Sequence, residues 1–135
     1  MVTALDVDPN ELISKLAEKL SEIKKPEFVG LVKTGPHCER PPEQSNFWQI
    51  RCASLMRQAY VNTHIGTQRM RRHYGGRKKN GLAPEHHRPT GGSTIRKALQ
   101  GLETAGYLVK TKRGRELSAK GRKLMDQIAK EIMNA

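Results

Sequence analysis

The sequence predicts a mainly α-helical fold with one small β-hairpin near its C-terminal end. Apolar residues recur at helical spacing in three segments, and a fourth is apolar nearly all round, the patterns of helices with a buried surface. Between residues 107 and 117, two short extended segments flank a turn at Lys112-Arg113-Gly114, which indicates a hairpin. The order of helix, short helix, helix and hairpin is typical of a winged helix-turn-helix. We therefore expect a winged-helix-like three-helix core with a small β-hairpin wing, plus extra N- and C-terminal helices.

The first segment predicts a helix and a long connection. The helix should begin after Asp8, which can cap it, and end before Pro26. Its apolar face repeats every three or four residues: Leu12, Ile13, Leu16, Ala17, Leu20 and Ile23. Residues 26–46 are rich in proline and glycine. We expect residues 1–46 to form an N-terminal helix and a Pro-rich connection within a single domain that spans residues 1–135.

The three core helices are predicted around residues 47–61, 67–74 and 93–105. The first of them is apolar nearly all round, which is typical of a central, buried helix. The second is short and basic, and the third carries one clean apolar stripe. After the hairpin, Ser118 is expected to cap the last helix.

A basic, Gly-rich insertion loop, residues 75–92, separates the second and third core helices. A helix-turn-helix needs a turn of only three or four residues at this point. Residues 69–88 contain seven Lys or Arg residues and one acid, a net charge of +6 out of +12 for the chain. Gly75 is expected to end the preceding helix in the left-handed conformation. The cations of so basic a segment repel one another unless an anion neutralises them, which favours an anionic partner. The alternative interpretation is a flexible, solvated surface loop without a partner.

The charge distribution favours a polyanionic partner. Residues 1–46 carry 6 basic and 8 acidic side chains, a net of −2, whereas residues 47–135 carry 19 basic and 5 acidic ones, a net of +14. An uneven basic charge of this kind is typical of nucleic-acid-binding proteins. No apolar run reaches the 18 residues of a membrane-spanning helix, so we expect no membrane partner.

Candidate nucleic-acid-binding residues lie on several of the predicted elements. Arginine offers a planar fork for phosphate, lysine and protonated histidine offer charge, and glycine lets the backbone approach closely. Arg51 and Arg57 lie on the only polar stripe of the central helix; pairing with local acids is their alternative role. The full set of expected RNA-binding residues is Arg51, Arg57, Arg69, Arg71, Arg72, Gly75, Gly76, Arg77, Lys78, Lys79, His86, Arg88, Arg96, Lys97 and Arg113.

Catalytic and metal sites are not expected, and neither is a cofactor. Cys38 and Cys52 are fourteen residues apart without a CxxC pair, so they do not indicate a zinc site. His86 and His87 are adjacent, and no HExxH motif is present. The acids are few and scattered. We predict no enzyme activity and no small-molecule substrate.

Several stretches together resemble one family. YGGRKKNGLAPEHH, GGSTIRKALQGLETAGYLVK and GRELSAKGRKLMDQIAKEI, with VKTGPHCERPPE and FWQIRCASLMRQAY upstream, resemble the archaeal and eukaryotic small-subunit ribosomal protein S19e family over nearly the whole chain. The resemblance implies a winged-helix-like protein in the head of the small subunit that contacts rRNA of the 3′ domain. It also implies a role in subunit assembly and pre-rRNA maturation. Arg51, Arg57 and Arg96 match basic positions that the family uses for RNA or assembly.

The leading interpretation is thus a structural ribosomal protein that binds rRNA and neighbouring ribosomal proteins as a monomer within the particle. Its expected location is the cytoplasm, in ribosomes, and the nucleolus during assembly if the source is eukaryotic. The alternative is a winged-helix DNA-binding transcription factor, in which Arg96, Lys97 and Gln100 would face the major groove and Arg113 would lie in the wing. A protein-binding adaptor is a third possibility.

Overall fold

The computed structural model describes residues 2–135 and confirms a mainly α-helical fold. Small antiparallel sheets accompany five α-helices. In chain order the elements are a 3-10 helix (Ala4–Asp6), α1 (Pro9–Lys19), α2 (Phe47–Asn62), β1 (His64–Ile65), α3 (Thr67–His73), β2 (Gly76–Asn80), β3 (Ala83–Arg88), α4 (Gly92–Thr104), β4 (Leu108–Thr111), β5 (Gly114–Leu117) and α5 (Ala119–Met133). Within the described residues, none of the helices is both long and apolar enough to cross a membrane.

Helix α2 is central, as its sequence predicts. Trp48, Leu55 and Met56 are at most 1% exposed, and α2 packs against α1, α4 and strand β5. The other helices contribute one apolar stripe each to the same cluster of buried side chains: Leu12 and Leu16 from α1, Ile95, Ala98, Leu99 and Leu102 from α4, and Met125 and Ile128 from α5. Each fully buried large aliphatic side chain stabilises the fold by about 1.5–3 kcal/mol relative to exposure.

Two separate antiparallel sheets are present. In the first, which we call the wing sheet, β5 lies between β1 and β4, with Leu108 opposite Leu117 and His64 opposite Glu116. The predicted hairpin at Gly114 is therefore confirmed, with a two-residue strand, β1, added by the chain that follows α2. In the second, β2 pairs with β3 only.

The second sheet corrects the expectation for residues 75–92, since most of this segment is a β-hairpin rather than a loop. We call it the basic hairpin, residues 76–88. Its two-residue turn holds Gly81 at φ 69°, in the left-handed region that tight hairpin turns require. Gly81 occupies the first of the two turn positions, before Leu82, and is the hairpin signal that the interpretation as a loop overlooked.

Two helix ends also differ from the prediction. Helix α1 ends at Lys19, not just before Pro26; Leu20 caps it, and a further turn brings Ile23 into the core. No apolar residue follows Ile23 before Pro26 to extend the buried stripe. At the end of α3, Gly75 is not left-handed, because Tyr74 already ends the helix in the right-handed region.

The caps at Asp8 and Ser118 are confirmed. The Asp8 carboxylate accepts a hydrogen bond from the Glu11 N–H at 3.3 Å, and the Ser118 hydroxyl accepts one from the Gly121 N–H at 3.2 Å. By contrast, the first residues of α2 and α4 have no side-chain cap, since Asn46 makes no such bond and α4 starts after Gly91.

Candidate nucleic-acid interface

The basic hairpin is almost entirely solvent-exposed. Every residue of β3 is exposed, and Leu82 at the turn is fully exposed. Cross-strand pairing sets Arg77 opposite His87 and Lys78 opposite His86, so cations and histidines of the two strands are direct neighbours. With few apolar contacts of its own, the hairpin presents charge rather than contributing to the core.

The base of the hairpin is held firmly by its neighbours in the fold. The buried Thr90 hydroxyl donates to the Thr34 carbonyl at 2.5 Å, and the Gly91 N–H donates to the same oxygen at 2.6 Å. From α3, Arg71 Nε donates to the Thr90 carbonyl at 2.9 Å. The connection that contains Thr34 therefore clamps the segment between the hairpin and α4.

Gly75 and Gly76 satisfy a packing requirement at this base. A Cβ atom on Gly75 would overlap the Arg88 carbonyl oxygen, and one on Gly76 would lie 2.8 Å from Cδ2 of His37. Contacts within the chain therefore account for both glycines. Close approach of RNA, for which both glycines were included among the expected residues, is not needed to explain them.

Arg51 of α2 stacks on aromatic rings. Its guanidinium carbon lies 4.2 Å from the centre of the Tyr74 ring and 5.2 Å from that of Phe47. Burial lowers the pKa of Arg51, and its Nη1 atom is buried without a hydrogen-bond partner among the described residues. The Tyr74 hydroxyl is fixed by Ser54 at 2.5 Å. Stacking orients the guanidinium, and the residue is only partly buried, so the exposed part of the planar group can meet an anion.

Arg57, six residues further along α2, also has a buried, unpartnered donor, Nε. The alternative that Arg51 and Arg57 pair with local acids is not observed within residues 2–135, because no carboxylate oxygen lies within 4 Å of either. Leaving a buried donor unsatisfied costs about 1–3 kcal/mol, so these two arginines are kept in place at the expense of stability.

The remaining expected residues are spread over three elements. On α3, Arg72 is exposed, Arg69 donates weakly to the His64 carbonyl at 3.4 Å, and Arg71 serves the hairpin base as described. Arg96 and Lys97 are exposed on α4, away from its buried stripe. Arg113 is exposed at the turn of the wing sheet. The structure therefore brings Arg51 of α2 to Tyr74 and Arg71 of α3 to the hairpin base, whereas Arg96, Lys97 and Arg113 lie exposed on α4 and at the turn of the wing sheet.

Few of the cations are neutralised within the chain. In the described part of the chain, Arg40 and Arg115 alone among the 25 Lys and Arg residues form ion pairs with carboxylates, Arg40 with Glu43 at 3.9 Å and Arg115 with Glu103 at 3.2 Å. None of the expected RNA-binding cations is paired in this way. Their charge is available to an anionic partner.

Sequence reasoning missed the aromatic support of Arg51. Phe47 precedes Arg51 by one helical turn, a spacing that indicates contact. Tyr74 is 23 residues away, so only the fold brings it to the guanidinium. The contact of His37 with Gly76 was also missed, because the connection has no periodicity that reveals which residues it turns toward the hairpin.

The two cysteines differ in environment. Cys52 is fully buried in α2, and burial raises the pKa of its thiol to about 12. Cys38 is half-buried, 3.2 Å from the Thr34 hydroxyl and 3.4 Å from Nε2 of His37. Among residues 2–135, no three His, Cys, Asp or Glu side chains gather in a way that could hold a metal ion.

Comparison with known proteins gives a consistent result over the whole chain. Residues 3–135 match the family model described as ribosomal protein S19e. The chain is 48% identical to small ribosomal subunit protein eS19 of Aeropyrum pernix, with 98% of this chain and 91% of the relative aligned. It is 38% identical to the eS19 protein of Haloarcula marismortui, over 98% and 92% of the two chains, and 35% identical to eS19B of Schizosaccharomyces pombe, over 98% and 95%.

Proposed function

Because the chain belongs to the ribosomal protein S19e family, we propose that it is a structural constituent of the small ribosomal subunit that binds rRNA through its basic hairpin and the arginines of α2. The strongest support for the RNA-binding role is the absence of internal partners for the cations. The cations of the exposed hairpin and of the α2 face have no carboxylate partners in residues 2–135. Their mutual repulsion favours an external polyanion.

Family membership makes the protein a structural component rather than an enzyme, and it works in ribosomes of the cytoplasm. The finer assignment is part of the proposal. We infer contact with rRNA of the 3′ domain in the subunit head, contact with neighbouring ribosomal proteins, and support of subunit assembly and pre-rRNA maturation. The protein acts as a monomer within the particle, and in a eukaryotic cell it passes through the nucleolus during assembly.

Recognition should rest on RNA shape and backbone. The major groove of A-form RNA is too deep and narrow for side chains to read its base edges. The hairpin offers lysine and arginine along an exposed strand, which suits a line of phosphates. If about six phosphates are engaged, the logarithm of affinity falls with the logarithm of salt concentration at a slope of roughly −4 to −5.

The winged-helix arrangement of the core is likewise inferred. Helices α2, α3 and α4 with the wing sheet follow the order expected for that fold. The basic hairpin projects between α3 and α4, where a DNA-binding winged helix has a short turn. Such a projection obstructs the entry of α4 into a B-form major groove, which admits one helix.

Sedimentation of a cell extract through sucrose tests the proposed function. The protein should co-migrate with small subunits, and purified protein should bind small-subunit rRNA with the salt dependence given above. A free protein that is retained on a specific DNA duplex would support the transcription-factor alternative. Binding to a protein partner that survives RNase and high salt would support the adaptor.

A further inference from the structure

A concave groove of about 500 Å³ lies between the Pro-rich connection and the basic hairpin. Three consecutive cations of β2, Arg77, Lys78 and Lys79, line one side. The other side is formed by residues 33–39 of the connection, with Lys33 as its cation. Nothing in the sequence pattern relates these two segments, which are more than 35 residues apart.

The groove gathers positive charge without neutralising it. Its lining contains four cations and two carboxylates, Glu39 and Glu85, a net charge of +2. In the described residues, none of the four cations lies within 4 Å of a carboxylate oxygen. Convergence of like charges from two segments raises the free energy of the unbound protein and lowers that of an anion in the groove.

The wall of the groove is preformed. The ring of His37 lies against the backbone of Gly76, where no side chain larger than glycine fits without displacement. His37 Nδ1 is buried without a hydrogen-bond partner, while Nε2 lies 3.4 Å from the Cys38 sulfur. The clamp between Thr34 and Thr90 fixes the two walls relative to each other. An anion therefore binds without the cost of ordering the groove.

We propose that this groove binds the phosphodiester backbone of rRNA, gripped between Lys33 of the connection and the β2 cations. The inference rests on the proposed function and adds a second wall, which includes Lys33 and His37, to the hairpin surface. A polyanion suits the groove better than a single phosphate, because its cations come from three successive positions of β2 and from the facing connection.

Cys38 provides a built-in probe, because it lines the groove and is half-buried. We would measure the rate at which neutral iodoacetamide alkylates Cys38 in the free full-length protein and in its complex with purified small-subunit rRNA. A neutral reagent is not repelled by RNA, so slower reaction reports covering of the groove. Cys52 is the internal control, since its burial keeps it unreactive unless the protein unfolds.

The expected result is at least tenfold slower alkylation of Cys38 in the complex. Lys33→Gln should lower rRNA affinity roughly five- to tenfold, reduce the salt slope by about one and restore part of the Cys38 reactivity. The matched control is Lys15→Gln, which changes an exposed lysine on α1 outside the groove and should leave both measurements unchanged.

Three outcomes would overturn the inference in distinguishable ways. If the complex forms with a steep salt dependence but Cys38 reacts as fast as in the free protein, the groove is empty and the proposed function stands. If Lys33→Gln behaves as Lys15→Gln does, the connection wall takes no part. If the protein shows no salt-sensitive affinity for rRNA, both the groove and the proposed function fail.

Discussion

The molecule contains two antiparallel hairpins of similar length that are embedded very differently. In the wing sheet, Leu108 is 2% exposed, and strand β5 packs against α2 while pairing with β1. In the basic hairpin, no residue of either strand is buried. The wing is therefore part of the folded core, whereas the basic hairpin is attached at its base and stabilised little by its own packing. The comparison indicates that one hairpin contributes to stability, while the other carries the proposed RNA contacts.

The largest effect should follow from removing the charge of the basic hairpin. Replacement of Arg77, Lys78 and Lys79 with Ala should weaken rRNA binding on the order of 100- to 1000-fold, because about three phosphate contacts are lost. The melting temperature should change little, since these side chains bury no apolar surface. Calorimetry and filter binding at several salt concentrations measure the two effects. A steep fall in melting temperature would show that the hairpin stabilises the fold.

The complementary change is in the wing. Leu108→Ala should lower the free energy of unfolding by about 3 kcal/mol, because it removes a buried side chain from the core. In the temperature range where the variant is still folded, its rRNA affinity should be close to that of the wild type. Denaturant unfolding and RNA titration separate the two readouts, with Leu108→Met as the volume-conserving control. Equal losses of stability in both hairpin variants would contradict the division of roles.

A smaller effect is expected at Arg51, which lies between the core and the hairpin base. Arg51→Gln should reduce rRNA affinity about tenfold by removing a phosphate donor. It should also cost about 1 kcal/mol of stability, because the stacking on Tyr74 is lost. Arg51→Lys keeps the charge without the planar fork and should be intermediate in affinity. If the Gln variant binds normally, the guanidinium serves only to pack against the aromatic rings.

The smallest effect concerns Tyr107, at the start of the wing. Its hydroxyl donates to Glu22 at 2.8 Å, and burial together with this hydrogen bond raises the pKa of Tyr107 to about 12. Since the folded pKa exceeds the unfolded value of about 10, this group contributes stability below pH 10 that is lost as the pH rises toward 12. Tyr107→Phe should cost about 1 kcal/mol at neutral pH.

Absorbance at 295 nm follows the same tyrosine directly. Burial also raises the pKa values of Tyr60 and Tyr74, so folded protein should show little phenolate at pH 10. Tyr107→Phe should remove the fraction that ionises near pH 12. Ionisation of all three tyrosines near pH 10 before unfolding would contradict the buried environment of Tyr107.

Local chemistry made much of the fold predictable. Apolar patterning located four of the five helices, and the caps at Asp8 and Ser118 were recognisable because each side chain bonds within its own first turn. The β1 strand was not predictable, because His64 and Ile65 become a strand only through pairing with Glu116 and Arg115, some fifty residues later. The end of α1 was misplaced for a similar reason, since tertiary packing of Ile23 decides how the chain turns.

The candidate interface divides in the same way. Composition and charge were enough to select the cations as candidate RNA-binding residues. In the structure, these cations have no carboxylate partners in residues 2–135. Sequence alone could not assign Arg71 to the hairpin base, place Tyr74 under Arg51 or bring Lys33 opposite β2. Each of these contacts joins residues that are distant in sequence.

The glycine pair at the base of the basic hairpin determines the direction in which the hairpin projects from the body of the protein. Two strands of five or six residues extend about 17 Å, so a tilt of 10° where they leave the body displaces the tip by about 3 Å. A side chain at Gly75 would overlap the Arg88 carbonyl oxygen, so the basic hairpin would have to tilt to make room for it. A methyl group at this position would therefore displace the cations of the basic hairpin, although it makes no contact with RNA itself.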